Sequence, residues 1–168
     1  MENVKVVKGD ITKCEVDAIV NAANTSLLGG GGVDGAIHRT AGPQLLEACK
    51  KLNGCSTGDA KITGGFNLPA RYVIHTVGPV WRGGNNGEED LLKSAYQRSL
   101  EVAEEGSLDK VAFPNISTGI YGFPKEKAAK IAISIVKEFM SKHKYPSEVI
   151  FVCFDDDNYL LYQRQLEK

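Results

Sequence analysis

The sequence predicts an α/β domain, a three-layer α/β/α sandwich whose central sheet is mixed but mostly parallel. Three observations support this fold class. The chain has 168 residues, which suits one domain spanning 1–168 and is short for two. Short runs rich in Val and Ile alternate with longer helical patterns. No linker, internal repeat or low-complexity tract divides the sequence.

The strands are predicted from short apolar runs that contain Val, Ile and aromatic residues and are bounded by Gly, Pro, Asn or Asp. The pattern is weakest in the third run. These runs are residues 4–8, 18–21, 60–63, 72–77, 111–114 and 148–154.

The helices are predicted from apolar residues that recur with helical spacing. In the longest pattern, Leu92, Ala95 and Ser99 fall on one face, and acidic residues stand at its start, where the helix dipole favours them. The residues between 78 and 87 are predicted to form a loop. The predicted helices are residues 34–41, 44–52, 88–104, 125–139 and 158–166.

The charge balance bears on the class of partner. The 20 Lys and Arg residues nearly equal the 21 Asp and Glu residues, which gives a net charge of −1. The absence of a basic run argues against a protein that tracks nucleic-acid backbone. There is no leader pattern at the amino terminus, and no apolar run approaches the roughly 18 residues of a membrane span. We therefore expect a cytoplasmic protein without direct nucleic-acid or membrane partners.

Several common catalytic sites lack support in the sequence. The four cysteines form no zinc-binding pattern, and the three histidines are scattered, so we expect reduced thiols, no metal and no cofactor. Neither a G-x-S-x-G elbow nor a Walker loop is present. Residues 30–35 satisfy G-x-G-x-x-G, but eight residues separate them from the preceding strand, whereas a dinucleotide fingerprint follows its strand closely. A nicotinamide dehydrogenase is therefore a weak alternative.

The most informative segment is the glycine-rich run at residues 28–38, Leu-Gly-Gly-Gly-Gly-Val-Asp-Gly-Ala-Ile-His. Consecutive glycines can form a concave row of N–H donors, and the following helix adds its own free N–H groups, so the segment suits a phosphate. A flexible linker is the alternative. Apolar residues on both sides, such as Leu27 and Ile37, favour a loop anchored in a core over a linker.

A second loop, residues 115–122, follows a predicted strand and precedes a helix in the same way. Its hydroxyls and glycines favour a second set of neutral donors, so a diphosphate is the expected ligand. An ordinary strand-to-helix turn is an equal alternative for this loop alone. Ligands of such sheets bind beyond the carboxyl ends of the strands, where both loops are expected to converge.

Polar residues beside these loops are candidates for recognition and catalysis. Asn24 suits a ribose hydroxyl, although Asn often forms local turns. Asp34 would repel an anion unless it held a water or a sugar hydroxyl; a helix cap is its alternative role. His38, one helical turn later, would orient that carboxylate or only stabilise the helix. Asp10 can accept from an adenine amino group and Phe154 can stack on the ring, with a turn and a core position as their alternatives.

Five ordered motifs lie along nearly the whole chain. They are Gly-Asp-Ile-Thr at 9–12, Val-Asp-Ala-Ile-Val-Asn-Ala-Ala-Asn at 16–24, the segment 28–38, Val-Ile-His-Thr-Val-Gly-Pro at 73–79 and Ile-Ser-Thr-Gly-Ile-Tyr-Gly at 116–122. Together they resemble a macrodomain of the MacroD type, with the closest likeness to bacterial O-acetyl-ADP-ribose deacetylases, and they are far more specific than one glycine run. We see no departure in the motif residues, although many relatives have a small residue or cysteine at Asn115.

The resemblance implies an ADP-ribose site. It implies that Asp10, Ile11 and Phe154 lie at the adenine, and that Asn24 and Asp34 address the distal ribose. The diphosphate would then be surrounded by Gly31, Gly32, Val33, Ser117, Thr118, Gly119, Ile120 and Tyr121.

The resemblance further implies hydrolysis of an ester on the distal ribose. The substrates would be O-acetyl-ADP-ribose and proteins mono-ADP-ribosylated on acidic side chains. Asn24 would orient the ribose, Asp34 would position or activate water, and Tyr121 would close its loop over the diphosphate. A non-catalytic ADP-ribose reader is the competing hypothesis.

Overall fold

The computed structural model describes residues 3–168, and its centre is a six-stranded sheet in the order β1-β6-β5-β2-β4-β3. Neighbouring strands are parallel except β3 and β4, which are antiparallel. The expected mixed, mostly parallel sheet is therefore confirmed. The strands are β1 (Val4–Lys8), β2 (Ala18–Ala22), β3 (Ala60–Gly64), β4 (Tyr72–Thr76), β5 (Lys110–Phe113) and β6 (Glu148–Cys153).

Five α-helices and one short 3-10 helix connect these strands within the described residues. The helices begin and end within three residues of the predicted limits, and the 3-10 helix Ile11–Lys13 was not predicted. Within residues 3–168, no helix is long and apolar enough to cross a membrane. The α-helices are α1 (Gly32–Ala41), α2 (Pro43–Lys50), α3 (Glu88–Glu105), α4 (Lys125–Lys142) and α5 (Asp156–Glu167).

The helices form two layers because successive strand residues point to opposite faces of the sheet. Val20 of β2 packs with the side of the sheet covered by α3, α4 and α5. Its neighbour Ile19 packs with the opposite side, which is covered by α1 and α2. Each face buries its own apolar cluster, so the structure is the predicted three-layer sandwich.

The adjacent strands β2 and β5 lead to opposite faces of the sheet. After β2 the chain enters α1 on one face, and after β5 it enters α4 on the other. This divergence opens a crevice beyond the carboxyl ends of the two strands, the usual ligand position in open α/β sheets. The glycine-rich segment and the loop 115–122 flank this crevice, as their order along the chain predicted.

Candidate functional site

The glycine-rich segment is shaped by close backbone packing on one side of the crevice. A Cβ added to Gly35 would lie 2.5 Å from the carbonyl oxygen of Gly30, which is too close for any side chain. Gly32 has φ +57° and begins α1, for which Gly31 is the N-cap. No side chain within residues 3–168 caps this helix. Its first-turn N–H groups are thus available to an anion.

Gly31 differs from its neighbours because nothing in the fold requires a glycine there. Its backbone is extended at φ −91° and ψ −173°, and an added Cβ would meet no atom within 4 Å. Gly119 in the second loop is equally free of contacts and has no left-handed φ. One glycine in each loop therefore leaves open space beside the backbone, as expected where a ligand approaches closely.

Asn24 and Asp34 meet at Gly30. A Cβ built on Gly30 would lie 3.1 Å from Asp34 Oδ2 and 3.3 Å from Asn24 Nδ2. Asn24 Nδ2 donates to the carbonyl of Gly29 at 3.0 Å, and its Oδ1 accepts from the N–H of Ser26 at 3.1 Å. Asn24 is thus a turn former, as its alternative role had it, and its amide nitrogen and the Asp34 carboxylate both lie beside Gly30.

Asp34 lies in the first turn of α1 but does not cap it, so the interpretation as a helix cap is wrong. It is only 4% exposed, and Oδ1 accepts from Asn21 Nδ2 at 2.9 Å. His38 Nε2 lies 3.5 Å from the same oxygen. Burial raises the pKa of Asp34, while the Asn21 bond and the His38 charge act in the opposite direction. A buried carboxylate with a raised pKa is typical of a functional site.

Three further polar side chains behind Asp34 were missed from the sequence. Asn21 Nδ2 also lies 3.1 Å from Nδ1 of His75, and Nε2 of His75 lies 2.9 Å from Thr63 Oγ1. Cys49 Sγ lies 3.7 Å from the same nitrogen. Asn21 and His75 are paired in the register of β2 and β4. The polar residues Asn21 and His75 within otherwise apolar strands were a signal that could have drawn attention to them. That they lie side by side could be known only from the order of the strands in the sheet.

On the far side of the sheet, Asp10 and Phe154 follow the paired strands β1 and β6. Asp10 Oδ1 accepts from the hydroxyl of Thr12 at 2.6 Å and from its N–H at 2.9 Å, and both bonds lower the pKa of Asp10; the N–H bond also caps the 3-10 helix. Ile11 is buried beneath it. Phe154 is 87% exposed, so its alternative role as a core residue is wrong. An exposed ring beside a carboxylate suits a flat heteroaromatic group.

The second loop holds Ser117 and Thr118 nearly buried and leaves Ile120 fully exposed. Ser117 has the left-handed φ of +67°. Thr118 Oγ1 donates to the carbonyl of Asn115 at 3.2 Å, so this hydroxyl supports the loop itself. A single exposed apolar side chain is common on protein surfaces, so the exposure of Ile120 alone assigns it no role.

The loop between β4 and α3 supports the second loop from behind. The N–H of Trp81 donates to the carbonyl of Tyr121 at 2.8 Å, and the Trp81 ring packs on Phe123. The loop is itself held by the buried carboxylate of Glu88, which was interpreted from the sequence only as favouring the helix dipole. Its oxygens accept from the backbone N–H groups of Arg82, Gly84 and Asn86 at 2.8, 3.0 and 2.6 Å.

Within residues 3–168, no cluster of three potential metal ligands occurs. Three of the cysteines are buried, and all four are free. The chemistry of the site therefore depends on two loops of backbone donors, one buried carboxylate and one amide.

Comparison with known proteins identifies the family of this chain. A family model described as Macro domain matches residues 20–132. The chain is 58% identical over 168 residues to a Macro domain-containing protein of Methanosarcina mazei, covering 100% of this chain and 90% of that one. It is 56% identical over 167 residues to the O-acetyl-ADP-ribose deacetylase of Escherichia coli (strain K12), covering 97% and 94%. A solved structure of a mutant Oceanobacillus iheyensis macrodomain with ADPR is similar, with TM-score 0.92, 44% identity and coverage of 96% and 90%.

Proposed function

Because this chain belongs to the Macro domain family, we propose that it binds ADP-ribose and hydrolyses an ester on the distal ribose, with O-acetyl-ADP-ribose as a substrate. The observation that carries the proposal is the buried carboxylate of Asp34, which faces Asn24 across Gly30 at the mouth of the glycine-rich segment. The relative named O-acetyl-ADP-ribose deacetylase supports this choice of reaction.

The proposed ligand lies across the carboxyl ends of the strands, with its diphosphate in the crevice. Exposed Phe154 stacks on the adenine, and Asp10 accepts from its amino group beside Ile11. The dipole of α1 and the free backbone donors favour the negative charge. The diphosphate contacts are made by Gly31, Gly32, Val33, Ser117, Thr118, Gly119, Ile120 and Tyr121.

In the proposed reaction a water attacks the acyl carbon of the ester. The bond between this carbon and the ribose oxygen breaks, the oxygen takes up a proton, and acetate and ADP-ribose are released. Asn24 orients the ribose, and Asp34 positions the water and accepts its proton. An ordinary Asp, with a pKa of about 3.9, is a weak base, so the raised pKa that burial gives Asp34 favours proton transfer. His38 supports the carboxylate at 3.5 Å.

We extend the proposal to proteins that carry mono-ADP-ribose on acidic side chains. Such a modification is also an ester on the distal ribose, so the same water and the same carboxylate serve both substrates. The whole chain, 1–168, would act as one domain on either of them.

The test is acetate release from O-acetyl-ADP-ribose, followed by proton NMR for the wild type and Asp34→Ala. General base catalysis contributes about 10²- to 10⁴-fold, so the variant should lose turnover on that scale. Calorimetry should show that the variant still binds ADP-ribose. If the folded wild type binds ADP-ribose without releasing acetate, the chain is a reader of ADP-ribose. If binding and turnover fall equally in the variant, Asp34 anchors the ligand and is not catalytic.

A further inference from the structure

The buried side chains behind Asp34 form a continuous hydrogen-bonded row. Asn21 of β2 joins Asp34 to His75 of β4, and His75 joins Thr63 of β3, over distances of 2.9, 3.1 and 2.9 Å. Asn21 and His75 are fully buried, and Thr63 is nearly so. Burying polar groups is costly unless they are hydrogen-bonded, and Asn21 Oδ1 has no partner among the described residues, so the row needs a reason beyond packing.

The direction of every hydrogen bond in the row follows from the available protons. Thr63 Oγ1 donates to the carbonyl of Gly64 at 3.1 Å, which leaves its lone pairs to accept from His75 Nε2–H; Cys49 Sγ, 3.7 Å from the same nitrogen, is then a second, weak acceptor. Nδ1 of His75 then carries a lone pair and accepts one N–H of Asn21. The second N–H of Asn21 is left for Asp34 Oδ1. This assignment of the tautomer rests on the hydrogen-bond network alone.

We propose that His75 is a positioning residue for the hydrolysis, because its Nδ1 fixes the amide of Asn21 so that Asn21 donates to Asp34. Without that acceptor, the amide is free to rotate and to present its oxygen to the carboxylate. The fixed amide orients the carboxylate and opposes the effect of burial, which raises the pKa of Asp34. The inference rests on the proposed function, in which the ionised form of Asp34 acts on water.

Three titratable side chains face Asp34 and Asn21 within the described residues, namely His75, Cys49 and His38. Burial lowers the pKa of His75 to about 3, so its ring stays neutral and its Nδ1 keeps accepting. Burial raises the pKa of Cys49, on α2, to about 11, so this thiol also stays neutral. His38, on α1, is the remaining titratable neighbour, 3.5 Å away. Because His75 and Cys49 stay neutral near pH 7, the donation by Asn21 is constant there.

Two substitutions of His75 separate positioning from packing. In His75→Asn, the side-chain oxygen can occupy the place of Nδ1, so the acceptor for Asn21 is kept and the bond to Thr63 is lost. In His75→Gln, the terminal amide can occupy the place of Nε2, so the bond to Thr63 is kept and the acceptor is lost. Both variants remove the ring, and each breaks one hydrogen bond of the row.

The measurement is the pH profile of kcat for O-acetyl-ADP-ribose, with the carboxyl carbon of Asp34 titrated by ¹³C NMR in the same proteins. A hydrogen bond to a charged group is expected to move a pKa by about one to two units. We expect the acid limb and the Asp34 titration to move upward by that amount in His75→Gln and to stay at the wild-type position in His75→Asn. Affinity for ADP-ribose should be similar in both.

Equal titration of Asp34 in the two variants would overturn the inference, whatever the rates. Since this titration needs no turnover, it is independent of the proposed function, which fails if the wild type releases no acetate. A measurement on the wild type covers the case in which His75→Gln does not fold. The ¹⁵N shifts of the His75 ring should show an unprotonated Nδ1 near neutral pH, and a proton on Nδ1 would overturn the inference.

Discussion

The substitution Gly31→Ala should separate ligand binding from folding. Any residue can adopt the extended backbone conformation of Gly31, and an added Cβ would meet no atom within 4 Å. Where the native backbone conformation suits Ala, replacing Gly by Ala stabilises the folded protein by about 0.4–1 kcal/mol, because the unfolded chain has less conformational freedom to lose. Alanine is a poorer N-cap than glycine by a comparable amount, several tenths to about 1 kcal/mol. The two effects nearly cancel, so the free energy of unfolding should scarcely change.

Binding should change much more than stability. The added methyl group occupies the space through which a phosphate would reach the N–H groups of α1. Each hydrogen bond to a charged group is worth roughly 1.5–3 kcal/mol, and about 1.4 kcal/mol is a factor of ten in Kd. Displacing the phosphate from one donor should therefore weaken ADP-ribose binding roughly 10- to 150-fold.

The assay is calorimetric titration with ADP-ribose, beside urea unfolding of the same protein. Gly106→Ala is the matched control, since Gly106 also has an ordinary φ, of −89°, and its added Cβ would make only ordinary contacts. Gly106 lies between the end of α3 and the start of β5, near the amino end of that strand, whereas the crevice lies beyond the carboxyl ends. Unchanged affinity in Gly31→Ala, or an equal loss in both variants, would refute the placement of the phosphate.

Three further changes test other parts of the site. Burial raises the pKa of Asp34 in the folded protein, so Asp34→Asn should be more stable than the wild type at pH 7. Urea unfolding at a series of pH values should show this gain in stability shrinking as the pH falls toward the ordinary pKa of an Asp carboxyl. Backbone N–H groups lower the pKa of Glu88 to about 2, so Glu88→Gln should lose stability at pH 7, and thermal unfolding should show that the difference from wild type fades between about pH 4.5 and 2. Exposed Phe154 contributes little to the core, so Phe154→Ala should unfold like the wild type but bind ADP-ribose more weakly, by about 1–3 kcal/mol if the ring stacks on adenine, with binding of ribose 5-phosphate unchanged. A similar loss for ribose 5-phosphate would place Phe154 away from the adenine.

The elements of the fold were predictable because strands and helices leave different periods in the sequence. Each β-run is short and bounded by turn residues, and each helix has an apolar face, so local patterns fixed the identity of these elements. The order of the strands across the sheet was not predictable in the same way. The adjacency of β2 and β5, on which the crevice depends, joins residues about 90 positions apart, and no local pattern encodes it.

The same limit explains which site residues were found. Asn24 and Asp34 lie within one local segment, and their oddity beside a phosphate loop is visible in a short window of sequence. His75 was not predicted as a site residue, since it is one of three scattered histidines and lies in a strand pattern. The structure shows that it makes buried hydrogen bonds, to Asn21 and Thr63. What the sequence could not show is that Asn21 carries the effect of these bonds onward to Asp34.

The buried row also explains why the carboxylate is at once costly and useful. Burial alone favours a neutral acid at Asp34, which would hold a water poorly as a base. Hydrogen bonds alone would favour a carboxylate too weakly basic to accept a proton. In Asp34 burial raises the pKa, while the hydrogen bond from Asn21 and the neighbouring His38 limit that rise. In the proposed hydrolysis, His75 fixes the orientation of the neutral Asn21 amide, and this amide in turn adjusts the basicity of Asp34.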